Sequence, residues 1–187
     1  INGSPHAAGS TYTALKEVAD TLNVEGIETE IIQVGHLAIR GCIGCGKCFK
    51  DKECVFHDVV NEFMPKFEAC DGLVVGSPVY YASANSTLTA FLDRLFYSSR
   101  FDKRMKVGAS VVSCRRGGAG SAFDRLNKYF TILRMPIASG QYWNIVHGNT
   151  PEETKQDLEG MQTMYNLGKN MAWLLKCIKT GKENGIN

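Results

Sequence analysis

Apolar and polar positions along the chain alternate between two patterns. In residues 11–24, Leu15, Val18 and Leu22 recur at helical spacing and share one face, which predicts an amphipathic helix. Residues 73–76 are instead a continuous apolar run, which is typical of a strand buried on both faces. The chain therefore combines helices that cover a core with strands that lie inside it.

The same alternation continues through the chain. Helical patterns cover residues 11–24, 59–69, 86–97, 122–133 and 151–179, and strand patterns cover residues 29–34, 73–76, 106–112 and 136–146. Because the sequence starts directly before a turn at residues 2–5, we expect most of a first strand to lie outside it. Alternating strands and helices predict an α/β fold with a doubly wound parallel sheet. We expect one domain over residues 1–187, with a cysteine-rich loop at 41–56.

Composition and charge exclude several classes of protein. Of the 187 residues, 44% are hydrophobic and 21% are charged, and the formal net charge is +2. No apolar run approaches the ~20 residues of a membrane span, and lysine and arginine are scattered rather than clustered. We therefore expect a cytoplasmic protein that binds neither nucleic acid nor a membrane.

Three loops that follow predicted strands carry candidate chemistry, because ligands of such sheets bind beyond the carboxyl ends of the strands. The first, residues 3–11, is rich in glycine, serine and threonine. Its backbone N–H groups, its hydroxyls and the following helix N-terminus suit a phosphate monoester. It matches neither the P-loop pattern of ATP-binding proteins nor the Rossmann dinucleotide pattern. The alternative is a turn that only caps the helix through Ser10.

The second and third loops contain residue types that bind a flat ring. Residues 76–83 contain Pro78 and the pair Tyr80 and Tyr81, so backbone groups can contact the polar edge of a ring while a tyrosine packs on its face. Residues 113–121 contain several glycines and two arginines, which allow close backbone approach and place positive charge near the ring. The alternatives are core packing by one tyrosine and a flexible loop with solvated arginines.

These loops, in this order, resemble the NADPH-dependent FMN reductase family of the flavodoxin-like superfamily. The matching segments are Asn2-Gly3-Ser4-Pro5, Gly9-Ser10-Thr11, Gly76-Ser77-Pro78-Val79-Tyr80 and Phe91-Leu92-Asp93-Arg94. The resemblance spans essentially the whole chain. It implies a flavodoxin-like three-layer fold with a five-stranded parallel sheet of order 2-1-3-4-5, and FMN at the point where the strand order reverses.

The resemblance also implies which residues bind the cofactor. The first loop would contribute Ser4, His6, Ser10, Thr11 and Tyr12, with the phosphate held by the first four. The isoalloxazine ring would lie against Pro78, Val79, Tyr80 and Tyr81 on one side and against Ser113, Arg116, Gly117 and Gly118 on the other, and Ser83 would also bind the cofactor. Relatives of this kind usually form homodimers or homotetramers, and we expect the same here.

Four of the seven cysteines form a compact run, Cys42-x2-Cys45-x2-Cys48-x5-Cys54. Thiolates bind iron–sulfur clusters and Zn²⁺, but zinc ribbons usually separate two CxxC pairs widely. A single run therefore fits a [4Fe–4S] cluster better, and it resembles the motif of the iron–sulfur flavoproteins, a branch of the same superfamily. The alternative is a loop of reduced or partly oxidised thiols without a cluster.

These features predict an FMN-dependent NAD(P)H oxidoreductase that passes electrons from a nicotinamide cofactor through FMN to a small acceptor, such as a quinone, a flavin or a nitro compound. The alternative is an iron–sulfur flavoprotein that uses FMN and a [4Fe–4S] cluster for electron transfer. Hydride transfer to a flavin requires no protein acid or base, so no catalytic residue is predicted. A carrier such as flavodoxin is disfavoured because the net charge of +2 is not strongly acidic. A metal-binding or redox-sensing module without flavin is the third hypothesis.

Overall fold

The computed structural model describes residues 1–186 as a central sheet with helices on both faces. The strands are β1 (Gly72–Tyr80), β2 (Ser83–Ala84), β3 (Val107–Cys114) and β4 (Ile145–His147). The helices are α1 (Ser10–Val24), α2 (Cys48–Asp51), α3 (Val59–Ala69), α4 (Ser86–Ser98), α5 (Ala119–Thr131), α6 (Pro151–Gln156) and α7 (Leu158–Glu183). The first four predicted helices are confirmed as α1, α3, α4 and α5.

The sheet has the strand order β2-β1-β3-β4. β1 and β3 pair in parallel from Gly72 opposite Val107 to Pro78 opposite Ser113, and β3 and β4 are also parallel. Every residue of β3 is buried, because helices cover both faces of this strand. The carboxyl ends of β1, β3 and β4 therefore lie at the same edge of the sheet.

The prediction of a five-stranded, all-parallel sheet is wrong for the described residues. They form four strands, and β2 pairs with β1 in antiparallel fashion. The predicted strand at 29–34 is reduced to one parallel bridge between Gln33 and Asn2, and Asn2 makes a second bridge with Gly76. A strand ladder requires consecutive pairs, but the chain leaves the sheet directly after Gly3 and enters the first loop. Asn2 therefore bridges to Gln33 on one side and to Gly76 on the other, and neither bridge is extended into a strand ladder.

Two further predicted elements differ from the structure. Within 136–146 only the last residues enter β4, while Ile137 makes an isolated bridge with Gly108. The reason is a local turn, in which the Asn144 side chain accepts a hydrogen bond from the backbone of Gly140 at 3.0 Å. The predicted helix at 151–179 is divided at Asp157, whose side chain caps the N-terminus of α7.

Two hydrophobic layers cover the two faces of the sheet. On one face α3, α4 and α5 pack through residues such as Phe67, Phe91 and Phe130. On the other face α1 and α7 pack through Val18 and Leu167. Phe91 is fully buried, and burying such a side chain contributes about 1.5–3 kcal/mol. The predicted three-layer α/β architecture is therefore present.

Across residues 1–186, no helix combines the length with the apolar character that crossing a bilayer requires.

Candidate functional site

The first and third loops meet through a hydrogen bond between two buried hydroxyls. Thr11 lies in the first turn of α1 and Ser113 near the end of β3, and their side-chain oxygens are 2.7 Å apart. Both residues are buried. The contact places the start of α1 at the carboxyl edge of the sheet, where the predicted phosphate site lies.

The second and third loops also meet, through a glycine. A Cβ atom on Gly118 would lie 2.9 Å from the Cα atom of Ala82 and 3.2 Å from a side-chain carbon of Val79. Gly118 also has a φ of +85°, a backbone conformation that residues other than glycine rarely adopt. Glycine is therefore required here for two independent reasons.

The first loop presents uncapped backbone N–H groups. The N-cap of α1 is Gly9, not Ser10, and no side chain caps the helix, so the alternative of a simple Ser10 cap is wrong. Uncapped first-turn N–H groups need water or an anion as acceptor. Ser4 is buried, and its hydroxyl oxygen accepts a hydrogen bond from the backbone N–H of His6 at 3.1 Å. The loop therefore offers the donors that a phosphate requires.

The second loop forms a strained hairpin. Tyr81 and Ala82 join β1 to β2, and both have positive φ values, +49° and +58°. Two-residue turns of this kind usually contain asparagine or glycine, and a residue of another type in this region costs about 1–3 kcal/mol. Tyr80 is 45% exposed and Tyr81 is 104% exposed, so the alternative of core packing by one tyrosine is wrong. Local strain of this kind is typical of ligand-binding turns.

The predicted cofactor residues differ in exposure. The buried ones are Ser4, Thr11 and Ser113, and the partly buried ones are Ser10, Tyr12, Pro78, Val79 and Gly118. The exposed ones are His6, Tyr80, Tyr81, Ser83, Arg116 and Gly117. The contacts described above join members of the three loops. Within residues 1–186, no side-chain hydrogen bond connects Tyr12 or the His6 ring to the second or third loop.

Sequence reasoning missed Asn85, which holds two of the loops together. Its side chain caps α4 by accepting a hydrogen bond from Thr87, and it donates to the carbonyl of Gly3 at 2.7 Å. Its backbone N–H donates to the hydroxyl of Ser77 at 2.9 Å. An asparagine directly before a helix is a recognisable N-cap signal, but its contact with the first loop depends on the fold.

One cavity lies away from the three loops. It has a volume of about 680 Å³ and is bounded by residues from α1, α7, residues 26–32 and the amino-terminal end of β1. Ligands of parallel sheets bind beyond the carboxyl ends of the strands. We therefore do not assign this cavity to the cofactor.

The four cysteines of the compact run surround one small cavity. Its volume is about 20 Å³, and its lining residues include Cys42, Cys45, Cys48 and Cys54. Cys42 and Cys45 are exposed, whereas Cys48 and Cys54 are buried. Gly44 and Gly46 have φ values of +66° and +70°, which give the loop its tight path. A cavity of this size has room for about one water molecule.

The donor set fits an iron–sulfur cluster, although the thiols do not converge in this conformation. No group of three or more histidine, cysteine, aspartate or glutamate side chains within the described residues forms a metal site. Burial raises the pKa of the Cys48 thiol, and metal ligation requires the thiolate. Four cysteines on one glycine-containing loop are nevertheless the ligand type that such clusters use.

The structure superimposes on solved flavodoxin-like proteins. An NAD(P)H:quinone oxidoreductase from Methanothermobacter marburgensis gives a TM-score of 0.69 at 14% identity, over 91% of this chain and 92% of that one. A flavodoxin from the domain Archaea gives a TM-score of 0.61 at 14% identity, over 91% and 94%. At these identities the likeness shows the fold alone, which is the flavodoxin-like α/β fold with a mostly parallel open sheet.

Sequence comparison identifies the family. Residues 1–150 match the family described as NADPH-dependent FMN reductase. The chain is 33% identical to an iron–sulfur flavoprotein of Methanocaldococcus jannaschii, over 96% of this chain and 97% of that protein. It is 27% identical to an iron–sulfur flavoprotein of Methanosarcina thermophila, over 98% and 97%. The chain belongs to the NADPH-dependent FMN reductase family, a family of FMN-dependent oxidoreductases, which confirms the resemblance of its loops.

Proposed function

We propose that this chain is an FMN-dependent electron-transfer oxidoreductase whose four-cysteine loop holds a [4Fe–4S] cluster. The observation that carries the proposal is the meeting of three loops at one edge of the sheet, through the Thr11–Ser113 hydrogen bond and the contact of Gly118 with Ala82. The name of the relative that is 33% identical, an iron–sulfur flavoprotein, supports the cluster.

The phosphate end of the site is assigned to the first loop. The Ser4 hydroxyl accepts from His6, so its own proton remains available to donate. In the Thr11–Ser113 pair one hydroxyl donates to the other, which leaves one more proton for a ligand. Together with Ser10 and the N–H groups that open α1, these donors suit a dianionic phosphate.

The ring end is assigned to the second and third loops, with Pro78, Val79, Tyr80, Tyr81 and Ser83 on one side and Arg116, Gly117 and Gly118 on the other. FMN, when bound, would accept a hydride and would release electrons one or two at a time. Gly118 permits close backbone approach because it has no Cβ. The exposed tyrosines Tyr80 and Tyr81 would cover the ring and limit access of water.

The cysteine loop is assigned to one-electron transfer, with Cys42, Cys45, Cys48 and Cys54 as ligands. A cluster, when bound, exchanges single electrons, with a potential that depends on its hydrogen bonds and solvent exposure. Cys48 and Cys54 are buried, while Cys42 and Cys45 are exposed. The loop would thus offer two buried and two exposed sulfurs as ligands.

A second candidate is an NAD(P)H-dependent reductase without a cluster, which passes electrons to a quinone, a flavin or a nitro compound. The small volume of the cysteine-lined cavity, about 20 Å³, favours it. So does the description of the family as NADPH-dependent. In this candidate the exposed tyrosine hairpin would admit the nicotinamide and then the acceptor to the ring.

We also propose a homodimer or homotetramer. Trp143 and Trp173 are 59% and 66% exposed, so both side chains are accessible to a second copy of the chain.

The experiment is an analysis of anaerobically purified protein for FMN, iron and acid-labile sulfide. The proposal predicts one FMN per chain together with iron and sulfide in equal amounts, and a visible shoulder that dithionite bleaches. FMN without iron would favour the second candidate, which also requires rapid bleaching by NADH or NADPH. Absence of FMN from protein produced with ample riboflavin would contradict both.

Single substitutions show whether the iron is held by the proposed ligands. Cys45→Ser should abolish iron binding and leave FMN in place. Cys177→Ser is the matched control, because Cys177 is an exposed thiol outside the run, and its iron content should equal that of the parent protein. Equal iron content in both variants would contradict the ligand assignment.

A further inference from the structure

Arg94 is a fully buried arginine whose side-chain hydrogen bonds all reach the segment that carries the cysteines. It belongs to α4, and its side chain has an exposure of 0%. The guanidinium group makes two hydrogen bonds to the Asp58 carboxylate, at 2.7 and 2.8 Å. It also donates to the carbonyls of Arg40 and Phe56, at 3.3 and 3.1 Å. Arg94 therefore ties both ends of the cysteine loop to α4.

The remaining donor of Arg94 is directed at a cysteine. Its Nε lies 3.2 Å from the Sγ of Cys54. A neutral thiol is a weak acceptor, whereas a thiolate or a metal-bound sulfur is a stronger one. Asp58 already neutralises the charge of the guanidinium, so the contact with sulfur is not needed for charge balance. The Nε–H of Arg94 is therefore placed to donate a hydrogen bond to the Cys54 sulfur when that sulfur is a cluster ligand.

Cys54 is also fixed through its backbone. The Asn61 side chain accepts from the N–H of Cys54 at 2.9 Å and donates to its carbonyl at 2.8 Å. Cys54 is thus held by α3 through Asn61 and by α4 through Arg94. Cys42, by contrast, is exposed, and the contact recorded for its sulfur comes from the backbone of Gly44, two residues away, at 3.5 Å.

We propose that Arg94 is a positioning residue that holds Cys54 as the anchored ligand of the cluster and raises the reduction potential of that cluster through its hydrogen bond to the ligand sulfur. This inference rests on the proposed function, because it needs a cluster on the loop. Hydrogen bonds to ligand sulfurs draw electron density from the metal and are among the determinants of cluster potential. Outer-sphere partners of metal ligands are also important for metal retention.

The test compares Arg94→Lys and Arg94→Gln with the parent protein. Arg94→Lys keeps the charge near Asp58 but removes the guanidinium fork and its Nε donor. Both variants should shift the cluster potential downward in a redox titration. Both should also retain iron about 10- to 100-fold more weakly against a chelator, the usual effect of losing an outer-sphere partner. FMN content should stay at the parent level.

Arg104→Gln is the matched control, because Arg104 also pairs with an aspartate, Asp102 at 2.6 Å, but is 59% exposed and contacts no cysteine among the described residues. Its potential and iron retention should equal those of the parent. An unchanged potential in both Arg94 variants would overturn the inference, and so would failure of both to fold, since Arg94 would then serve the fold alone. If the parent protein binds FMN but no iron, the proposed cluster itself is wrong. That result is distinguishable from an unchanged potential in the Arg94 variants, because it is seen in the parent protein.

Discussion

The hydroxyls of Thr11 and Ser113 lie 2.7 Å apart although 102 residues separate them in the sequence. Both are buried, so water does not compete strongly for the contact. The bond joins the first turn of α1 to the carboxyl end of β3. It therefore fixes the distance between the two loops to which we assign opposite parts of one ligand.

Thr11→Val should weaken both stability and FMN binding. The substitution leaves the buried Ser113 hydroxyl without its partner, which costs about 1–3 kcal/mol of unfolding free energy, and it removes a proposed phosphate donor. Denaturant unfolding and fluorescence titration with FMN measure the two effects. Thr131→Val is the control, because Thr131 is exposed at the end of α5, and both quantities should stay unchanged. Loss of stability with undiminished FMN affinity would remove Thr11 from the proposed site.

Gly118→Ala should destabilise the protein and reduce FMN affinity. The new Cβ would lie 2.9 Å from the backbone of Ala82, and the φ of +85° disfavours any side chain. We expect a loss of about 1–3 kcal/mol, in the range of strained backbone positions. The neighbouring Gly117→Ala is a matched control, since a Cβ there meets open space. Equal stability of the two variants would show that the contact between the second and third loops is not tight.

Comparison of Tyr81→Gly with Ala82→Gly should distinguish the effect of backbone strain on stability from the effect of the Tyr81 ring on FMN binding. The φ of Tyr81 is +49° and that of Ala82 is +58°, and glycine adopts such values without steric cost. Both Tyr81→Gly and Ala82→Gly should therefore maintain or raise the unfolding free energy, by up to about 1 kcal/mol. Only Tyr81→Gly should weaken FMN binding, because it also removes a ring. If the two variants bind FMN equally well, Tyr81 does not cover the cofactor.

Lys103 gives the protein a stability term that depends on pH. Its ammonium donates to the carbonyls of Ser99 and Phe101, at 2.5 and 3.0 Å. Burial lowers the pKa of Lys103 from 10.5 to about 8, and the charge of Arg100 acts in the same direction. The native state then releases this proton near pH 8, while the unfolded state keeps it up to pH 10.5. The unfolded state binds more protons in that window, so the contribution of Lys103 to stability rises with pH there.

Lys103→Met tests this term. The unfolding free energy of the parent protein minus that of the variant should increase between about pH 8 and pH 10.5. Urea denaturation at several pH values measures the difference. Lys155→Met changes an exposed lysine on α6 and should give a difference that does not vary across the window. A flat profile for Lys103→Met would show that the native lysine keeps its proton.

The helices α1, α3, α4 and α5 could be predicted because the pattern that defines each of them lies in neighbouring residues. The short helix α2 was predicted as loop, and the single helix predicted at 151–179 forms α6 and α7. Leu15, Val18 and Leu22 recur on one face of α1, and residues 73–76 form an apolar run that lies within β1. The three loops could also be predicted as candidates, since turn-forming and hydroxyl residues follow predicted strands. The compact cysteine run required only the spacing of its thiols.

The strand count and the β2 hairpin could not be predicted in the same way. Residues 29–34 have a strand pattern, but a strand exists only where a partner supplies consecutive hydrogen bonds, and Asn2 supplies one bridge. The turn at Tyr81 contains no glycine or asparagine, so its positive φ values contradict local preference. Tertiary packing overrides propensity at both places.

The amino-acid sequence by itself determined the helices α1, α3, α4 and α5, the residue types of the three loops and the four thiols, because periodicity, turn chemistry and spacing are properties of neighbouring residues. Only the tertiary structure decided that Thr11 bonds to Ser113, that Gly118 packs on Ala82 and that Arg94 reaches Cys54. Each of these contacts joins residues at least 36 positions apart, as in the 40-residue separation of Arg94 and Cys54. Such pairs meet only when the sheet and its two helical layers have set the distances between their elements.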